Sequence, residues 1–334
     1  MPIDLLVPRL LLPDDAPREM RSLRLPALEK WLARSDRVRV DVRGAVPWLA
    51  RQFALHGALP VAAIAFAGEG GAREGTWLRA DPVHVRIGQN GATLVHGAGL
   101  AIEAHEATAL LDALQAHFRD DGLQFAAPAP DRWYVRVPEN ELPQTVDLEE
   151  ALGRNIADVL PSGGERINWR SAVTEAQMLL SGHAVNERRE REQRPAVNSL
   201  WFWGGGSMPT QVASPYSTVY ADDPLVRGLG ALSGARVAAV PAKLDDLRTF
   251  EPGDEALAFA RELALAYDAG DAAAWRENAG RLDRDWFGAL GEVVVRFESV
   301  RLILPSLRDT LVATLTKASR GRWWRARKPL SAIA

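Results

Sequence analysis

The chain has 334 residues, 47% of them hydrophobic and 25% charged, a composition that reads as a soluble globular chain of one large α/β domain or two domains. Its net charge is −3 and its pI about 6.1, which gives no electrostatic case for a dedicated nucleic-acid binder. It contains no cysteine, so disulfides, thiolate catalysis and zinc–thiolate sites are excluded. The apolar start, "MPIDLLVPRLLLPDD", is interrupted by Asp4 and Arg9 and lacks the basic and small-residue flanks of a secretory signal. No apolar run approaches the roughly 20 residues of a membrane-spanning helix, so a cytoplasmic protein is expected.

Residues 3–12 read as a strand broken by Pro8, and "LPALEKWLAR" (25–34) as a short helix with Leu25, Leu28 and Leu32 on one face. "VPWLARQFAL" (46–55) reads as a second helix, "LPVAAIAFAG" (59–68) as a buried strand and "EGGAREG" (69–75) as a loop. From Thr76 the texture changes. Alternating strands at 77–88 and 91–97 precede an amphipathic helix at 102–118 whose Ala107, Leu110, Leu111, Leu114 and Phe118 face inward. Two further strands follow at 122–128 and 131–138. This pattern suggests a compact α+β insertion over 76–145, with 1–75 and 146–334 forming a discontinuous core domain.

Beyond it, 146–161 and 174–182 read as helices, and "SLWFWGG" (199–205) as a strand entering a glycine turn. A small helix with loops occupies 220–234 and a buried strand 235–241. A helix capped by Asp254 covers 253–270, and a long helix capped by Asp271 covers 271–297. In the long helix Trp275, Ala279, Leu282, Trp286, Leu290, Val293 and Phe297 keep the helical period. "VRLILPS" (300–306) is a last core strand. Strands alternating with helices at both ends predict an α/β fold with a doubly wound, mostly parallel sheet.

Within 161–209, His183, Asn186, Arg188 or Arg189, Pro195, Asn198, Trp201, Trp203, Gly204 and Gly206 fall in a characteristic order. This segment resembles the archaeal-type cofactor-independent phosphoglycerate mutases, which carry His, Asn and Arg, a spacer, Pro-x-Asn and a tryptophan strand ending in Trp-Gly-x-Gly. "LRLPALEKWLARS" looks like that family's first helix, and "VYADDPLVRGLGALSGARVAAV" like its later glycine-rich stretch. The resemblance implies an alkaline-phosphatase-like core sheet with an inserted α+β domain. The chain looks closer still to a bacterial group of mutase-like proteins described as regulators of the diffusible-signal gene cluster of plant pathogens.

The family's reaction uses two divalent metals and a Ser or Thr nucleophile. The resemblance places an Asp-Gly pair after the first strand. Here Asp14 and Asp15 are present without the glycine. The nucleophile belongs at the start of the first helix, where Ser22 is near but out of register. The family also needs Asp-x-x-x-His and a later Asp-His in its C-terminal half. The six histidines here are His56, His84, His96, His105, His117 and His183, and Pro305 and Ser306 stand where Asp-His is expected. Carboxylates alone still suit one hard cation. The metal-dependent mechanism is therefore expected to be lost, with no catalytic residue, metal or cofactor assigned; Mg or Mn enters only if an enzyme with a rearranged site survives.

What remains is binding. Arg166, His183, Asn186, Arg188 and Arg189 form a cationic, amide-rich group near the glycines, and arginine pairs bidentately with phosphate or carboxylate. The competing reading makes "NERREREQR" (186–194) a solvated charge run. Gly204, Gly205 and Gly206 either cradle an anion through their N–H groups or form a tight turn after a core strand, the turn being favoured. Asn198 belongs with this candidate ligand site. His105 reads as a surface residue, as do His84 and Arg86 on an alternating strand. The basic "KASRGRWWRARKP" (317–329) either docks on an acidic partner, anionic lipid or nucleic acid, or closes the core with its tryptophans inside; the second is favoured. The function expected is a catalytically degenerate regulatory or binding protein for a protein partner or small anionic metabolite. An active phosphoryl- or sulfuryl-transfer enzyme and an assembly scaffold using the Trp-rich segment are the alternatives.

Overall fold

In a computed structural model of the chain, the described residues are 2–88, 91–138, 140–147, 151, 156–247 and 255–333. They fall into two compact units, Met1–His56 with Gln211–Ala334, and Gly57–Thr210.

The first unit is built on a seven-stranded sheet in the order β2-β12-β11-β1-β10-β8-β9. Its five parallel strands are β11 (Ser299–Pro305), β1 (Pro2–Leu6), β10 (Glu255–Phe259), β8 (Tyr216–Tyr220) and β9 (Arg236–Ala238). Strands β12 (Thr310–Thr316) and β2 (Asp36–Val40) add on antiparallel at one edge. The fold is thus the mostly parallel, alkaline-phosphatase-like α/β arrangement expected, with an antiparallel border that the sequence reading did not contain. β1 and β11 are mostly apolar, as strands covered by helices must be, apart from the buried Asp4 of β1, which accepts from Arg301 of β11 at 2.8 Å and from the Tyr216 hydroxyl at 2.6 Å.

Helix α1 spans Arg18–Arg21, α2 Pro26–Arg34 and α3 Ala45–Gln52. The long helix expected at 271–297 is present in segments. The helix Ala272–Leu282 runs through a π-turn at Asp283–Phe287 into Leu290–Arg296. Asp271 caps its first turn by accepting from the Ala274 N–H, and all seven residues of the expected apolar stripe are buried.

The expected helix at 253–270 is corrected. "EALAF" is the interior strand β10, and the helix is only Glu262–Asp268. Ala, Leu and Glu favour helices in isolation, but here burial between β1 and β8 overrides that preference. The expected cap Asp254 lies outside the described residues, as does much of the helix expected at 146–161. The basic segment also departs from expectation. Trp323 and Trp324 are 76% and 67% exposed rather than packed inside.

The second unit carries an antiparallel sheet. Long β3 (Thr76–Gly88) pairs with β4 (Gly91–His96), β6 (Arg132–Val137) and β7 (Ser199–Ser207), and β5 (Gln124–Ala129) borders β6. Because β7 pairs with β3 from Ser199 to Ser207, this unit is wider than the insertion read over 76–145. The helix Ala104–His117 packs as its period required, burying Ala107, Leu110 and Leu114. Residues 59–68 are not a strand but the helix α4 (Val61–Gly68), buried from Val61 to Phe66. A short all-apolar run does not distinguish strand from helix by its period, and its alanines favour the helix.

Candidate functional site

The residues singled out from the sequence are brought together in the second unit, but mostly by bonds that close its own backbone. Asn186 is buried. Its side-chain amide donates to the Leu180 carbonyl at 2.7 Å and the Val197 carbonyl at 2.8 Å, and its Oδ1 accepts from the Val197 N–H at 2.8 Å. Asn198 does the same at the edge of β3, accepting from the Val85 N–H at 2.7 Å and donating to its carbonyl at 2.9 Å. Each asparagine stands in for a strand residue where the ladder stops. His183 is the N-cap of the helix Ala184–Arg191, its Nδ1 accepting from the Val185 N–H at 3.2 Å.

Arg189 is fully enclosed. It donates to the Pro195 carbonyl at 2.8 Å, to Glu106 Oε2 at 2.6 Å and to the Leu100 carbonyl. Glu106 is buried, and it also accepts from Arg194 at 3.1 Å and from the Glu103 N–H at 3.0 Å. Burial pushes its carboxyl up, but the backbone N–H and the two arginines outweigh this and hold it below the usual carboxylate range. The charge run 186–194 is therefore neither a solvated loop nor an open anion cradle at its centre. Its inward residues Asn186 and Arg189 lock the unit, and only Arg188 of the predicted cations in this run reaches outward. Arg188 donates to His105 Nε2 at 3.0 Å and lies 3.7 Å from Glu106.

Arg166 is the most open of the predicted residues, its side chain 78% exposed and 3.4 Å from Glu141. Its backbone N–H, with those of Glu165 and Ile167, is gathered by the buried Glu141 carboxylate at 2.9–3.2 Å. These N–H bonds depress the Glu141 pKa below its ordinary value, Ile167 first.

The glycines do not make the expected turn. Gly204, Gly205 and Gly206 continue β7. A Cβ on Gly205 would meet Leu142 and Leu78 at 2.5 and 2.6 Å, and one on Gly206 would meet Pro60 at 2.6 Å. At Gly204, with φ +61°, a Cβ would lie 2.9 Å from Val61. The absence of a Cβ at these glycines lets Pro60 and α4 lie directly on the strand.

One buried network was missed in the sequence. Arg79 donates to Asp81 at 2.5 Å and to Tyr134 Oη at 3.0 Å; Tyr134 donates to Glu69 at 2.5 Å; Trp203 donates to Asp81 at 2.7 Å. The only signal available was charge on both Arg79 and Asp81 inside an alternating strand. Arg132 donates to Glu69 at 2.9 Å, so two arginines balance the two carboxylates, and the network specifies how the sheet and the end of α4 pack.

In the first unit the ends of the parallel strands are the place for phosphoryl chemistry. The three residues after β1 are Val7, Pro8 and Arg9. Arg9 is buried, 3.6 Å from Asp268 and 4.8 Å above the Tyr267 ring. Asp14 and Asp15 come well after the strand end and are exposed, Asp14 pairing with Arg308. After β11, Ser306 closes a hairpin. Its hydroxyl donates to the Asp309 carbonyl at 2.9 Å and accepts from the Arg308 and Asp309 N–H groups. Asp309 is held by Arg39 at 2.8 Å. Asp223 caps the helix Pro224–Leu232, and Asp222 is exposed.

The helix α2 opens on Leu25, Pro26 and Ala27, with no hydroxyl. Its first N–H groups, of Ala27 and Leu28, donate to the Asp283 carboxylate at 3.1 and 2.8 Å. Ser22 lies beyond the end of α1, its hydroxyl 3.5 Å from the Glu19 carbonyl. Two metals need several carboxylates or imidazoles each. Among the described residues no group of three or more His, Asp or Glu is placed to hold a metal ion. The donor set at these strand ends, with arginine, proline and a turn-closing serine in the expected positions, does not fit a two-metal centre.

No family model matches the chain. Its relatives are 2,3-bisphosphoglycerate-independent phosphoglycerate mutases. The enzyme of Methanosarcina barkeri is 28% identical over 181 residues, 50% of this chain and 44% of that protein. An enzyme of Methanothermobacter thermautotrophicus is 29% identical over 158 residues, 44% of this chain and 39% of its own. The matched part thus spans less than half the length of either relative. Among solved structures, the PH0037 protein of Pyrococcus horikoshii superposes with a TM-score of 0.53 at 14% identity, covering 99% of this chain and 91% of that one. The fold is shared where the sequence has diverged.

Proposed function

We propose that this chain is a phosphoglycerate-mutase-like bacterial protein, a pseudoenzyme that has given up metal-dependent phosphoryl transfer and works by binding, in a regulatory role in the cytoplasm. The observation that carries this reading is the start of α2. A phosphoryl-accepting hydroxyl belongs there, and the chain has Leu25, Pro26 and Ala27 with the helix terminus already capped by Asp283. A carboxylate on those N–H groups excludes a phosphoryl group from the same dipole end. Arg9 after β1 and the Ser306 hairpin after β11 support it, because each replaces a metal-ligating position with a group that cannot ligate or is already engaged.

The ligand is a protein partner or a small anionic metabolite. Of the residues first assigned to it, Arg166 and Arg188 keep side chains that reach outward, and they are the ones proposed to meet an anion. Arg189, Asn186, Asn198, His183 and the three glycines support the surrounding fold.

The test is interconversion of 3- and 2-phosphoglycerate by the full chain with added Mn²⁺ or Mg²⁺, alongside elemental analysis. The expected result is no turnover above background and no tightly bound metal. Two tightly held ions per chain together with mutase turnover would overturn the reading in favour of an enzyme with a rearranged site. Titration of the same protein with 3-phosphoglycerate, and with its Arg166→Ala and Arg188→Ala variants, tests the anion separately.

A further inference from the structure

Nine of the eleven tryptophans are buried or half-buried, and Trp323 and Trp324 are not. They are adjacent, with ring centroids 6.2 Å apart and planes at 82°. Their exposure does not come from a loose tail. Arg322 donates to the Arg34 carbonyl at 3.0 Å and to Asp36 at 2.6 Å, Arg325 donates to the Ser35 carbonyl at 2.8 Å, and Arg34 donates to the Arg320 carbonyl at 3.1 Å. Just beyond, Leu330 and Ile333 are buried in the core. The segment is pinned on both sides, and the two indoles are held outward between the pins.

The surroundings are cationic. Residues 317–328 contain six Lys or Arg and no Asp or Glu. Arg322 and Arg325 are spent on Asp36, the acidic neighbour they pin. Among the described residues, Lys317, Arg320, Arg327 and Lys328 are exposed and have no carboxylate partner. Lys30 on α2 joins the patch; after its own burial, Arg34 and Arg327 depress its pKa, which places the three cations within electrostatic reach. Val38, on the edge strand β2 and on the same face as Asp36, is 63% exposed.

We propose that this patch is a peripheral docking site for an anionic lipid bilayer. Trp323 and Trp324 enter the headgroup region, and Lys317, Arg320, Arg327 and Lys328 pair with lipid phosphates. Indole is the side chain that gains most at the boundary between acyl chains and water, since its ring is apolar and its N–H needs a polar partner. Clustered cations add attraction to anionic headgroups, and the two signals together give stable but reversible binding. A single-stranded nucleic acid offers phosphates as well, but bases stack on roughly parallel platforms. Two rings at 82° cannot both serve successive stacked bases. A bilayer makes no such demand and also accommodates Val38.

This inference is independent of the mutase-like reading and uses a different surface. The test is co-sedimentation of the full chain with vesicles of phosphatidylcholine alone and of phosphatidylcholine with a minority of phosphatidylglycerol, at low and high salt. The expected result is binding to the anionic vesicles that weakens with salt. Trp323→Ala with Trp324→Ala should cut it about tenfold or more, and Arg327→Ser with Lys328→Ser should weaken it while leaving the indoles in place. Brominated acyl chains should quench the wild-type fluorescence more than that of the double tryptophan variant. Failure to bind anionic vesicles at low salt, equal binding by wild type and tryptophan variant, or tighter binding to single-stranded nucleic acid or polyglutamate than to vesicles would overturn the proposal. The charge variant keeps the test open even if the tryptophan variant misfolds.

Discussion

The Arg189 guanidinium donates to the Glu106 carboxylate at 2.6 Å, and both side chains are inaccessible to solvent. Removing one partner of such a pair strands the other charge in the interior, which costs about 3–5 kcal/mol. Arg189→Ala is expected to destabilise the second unit by that order in urea denaturation. Arg188→Ala, on the same helix and half exposed, is expected to change stability by less than about 1 kcal/mol. If Arg189 instead served mainly as a ligand contact, its variant would lose anion binding with little loss of stability.

Gly206→Ala and Gly205→Ala should each destabilise the chain by about 1–3 kcal/mol, since the new methyl meets Pro60 or Leu142 and Leu78. At Gly206 the φ of +154° adds backbone strain. The measurement is the thermal midpoint with and without inorganic phosphate. Equal losses in both conditions fit a packing role. Phosphate raising the wild-type midpoint but not that of the glycine variants would point back to an anion loop.

Glu141 supplies a pH dependence with a definite sign. Its folded pKa lies below the ordinary 4.5, through the N–H groups of Ile167, Arg166 and Glu165. A depressed carboxyl contributes stability above the unfolded pKa and loses it as pH falls through the folded one. Thermal midpoints should therefore fall on acidification below about pH 4.5, and Glu141→Gln should flatten that part of the profile while lowering the midpoint at neutral pH. Parallel acid profiles for the two proteins would contradict this role.

Asp283 caps α2 from a residue far along the chain, so its loss has a local signature. Asp283→Ala should cost about 0.5–2 kcal/mol and speed hydrogen exchange at the Ala27 and Leu28 amides. Exchange unchanged at those two positions would remove the cap from the account of why the helix start is closed to a phosphoryl group.

Part of this was legible in the residues. The helix at Ala104–His117 and the stripe from Trp275 to Phe297 followed from a 3.6-residue period that burial enforces. The strands of the second unit followed from alternation. The lack of histidine beyond His183 and the lack of a hydroxyl at Leu25–Ala27 are facts of composition that no packing can change. The resemblance carried by Asn186, Asn198 and Trp201–Gly206 pointed to the right relatives and fold. Asn186 and Asn198 read from the sequence as ligand contacts, and in the structure their side-chain bonds go to the chain's own backbone.

The sequence by itself determined which residue types stand at each position and which segments could bury an apolar face, because residue type and period are local properties. Only the tertiary structure decided what the remaining polar residues do. A carboxamide that clamps Val85 and one that holds a phosphate have the same sequence, and a glycine that turns the chain looks like one that admits Pro60. The same holds for "EALAF", helical by propensity and a strand by its place between β1 and β8, and for Trp323 and Trp324, aromatic like the core residues but held outside it by Arg322 and Arg325. Each depends on partners far away in the chain, and distance in sequence carries no record of them.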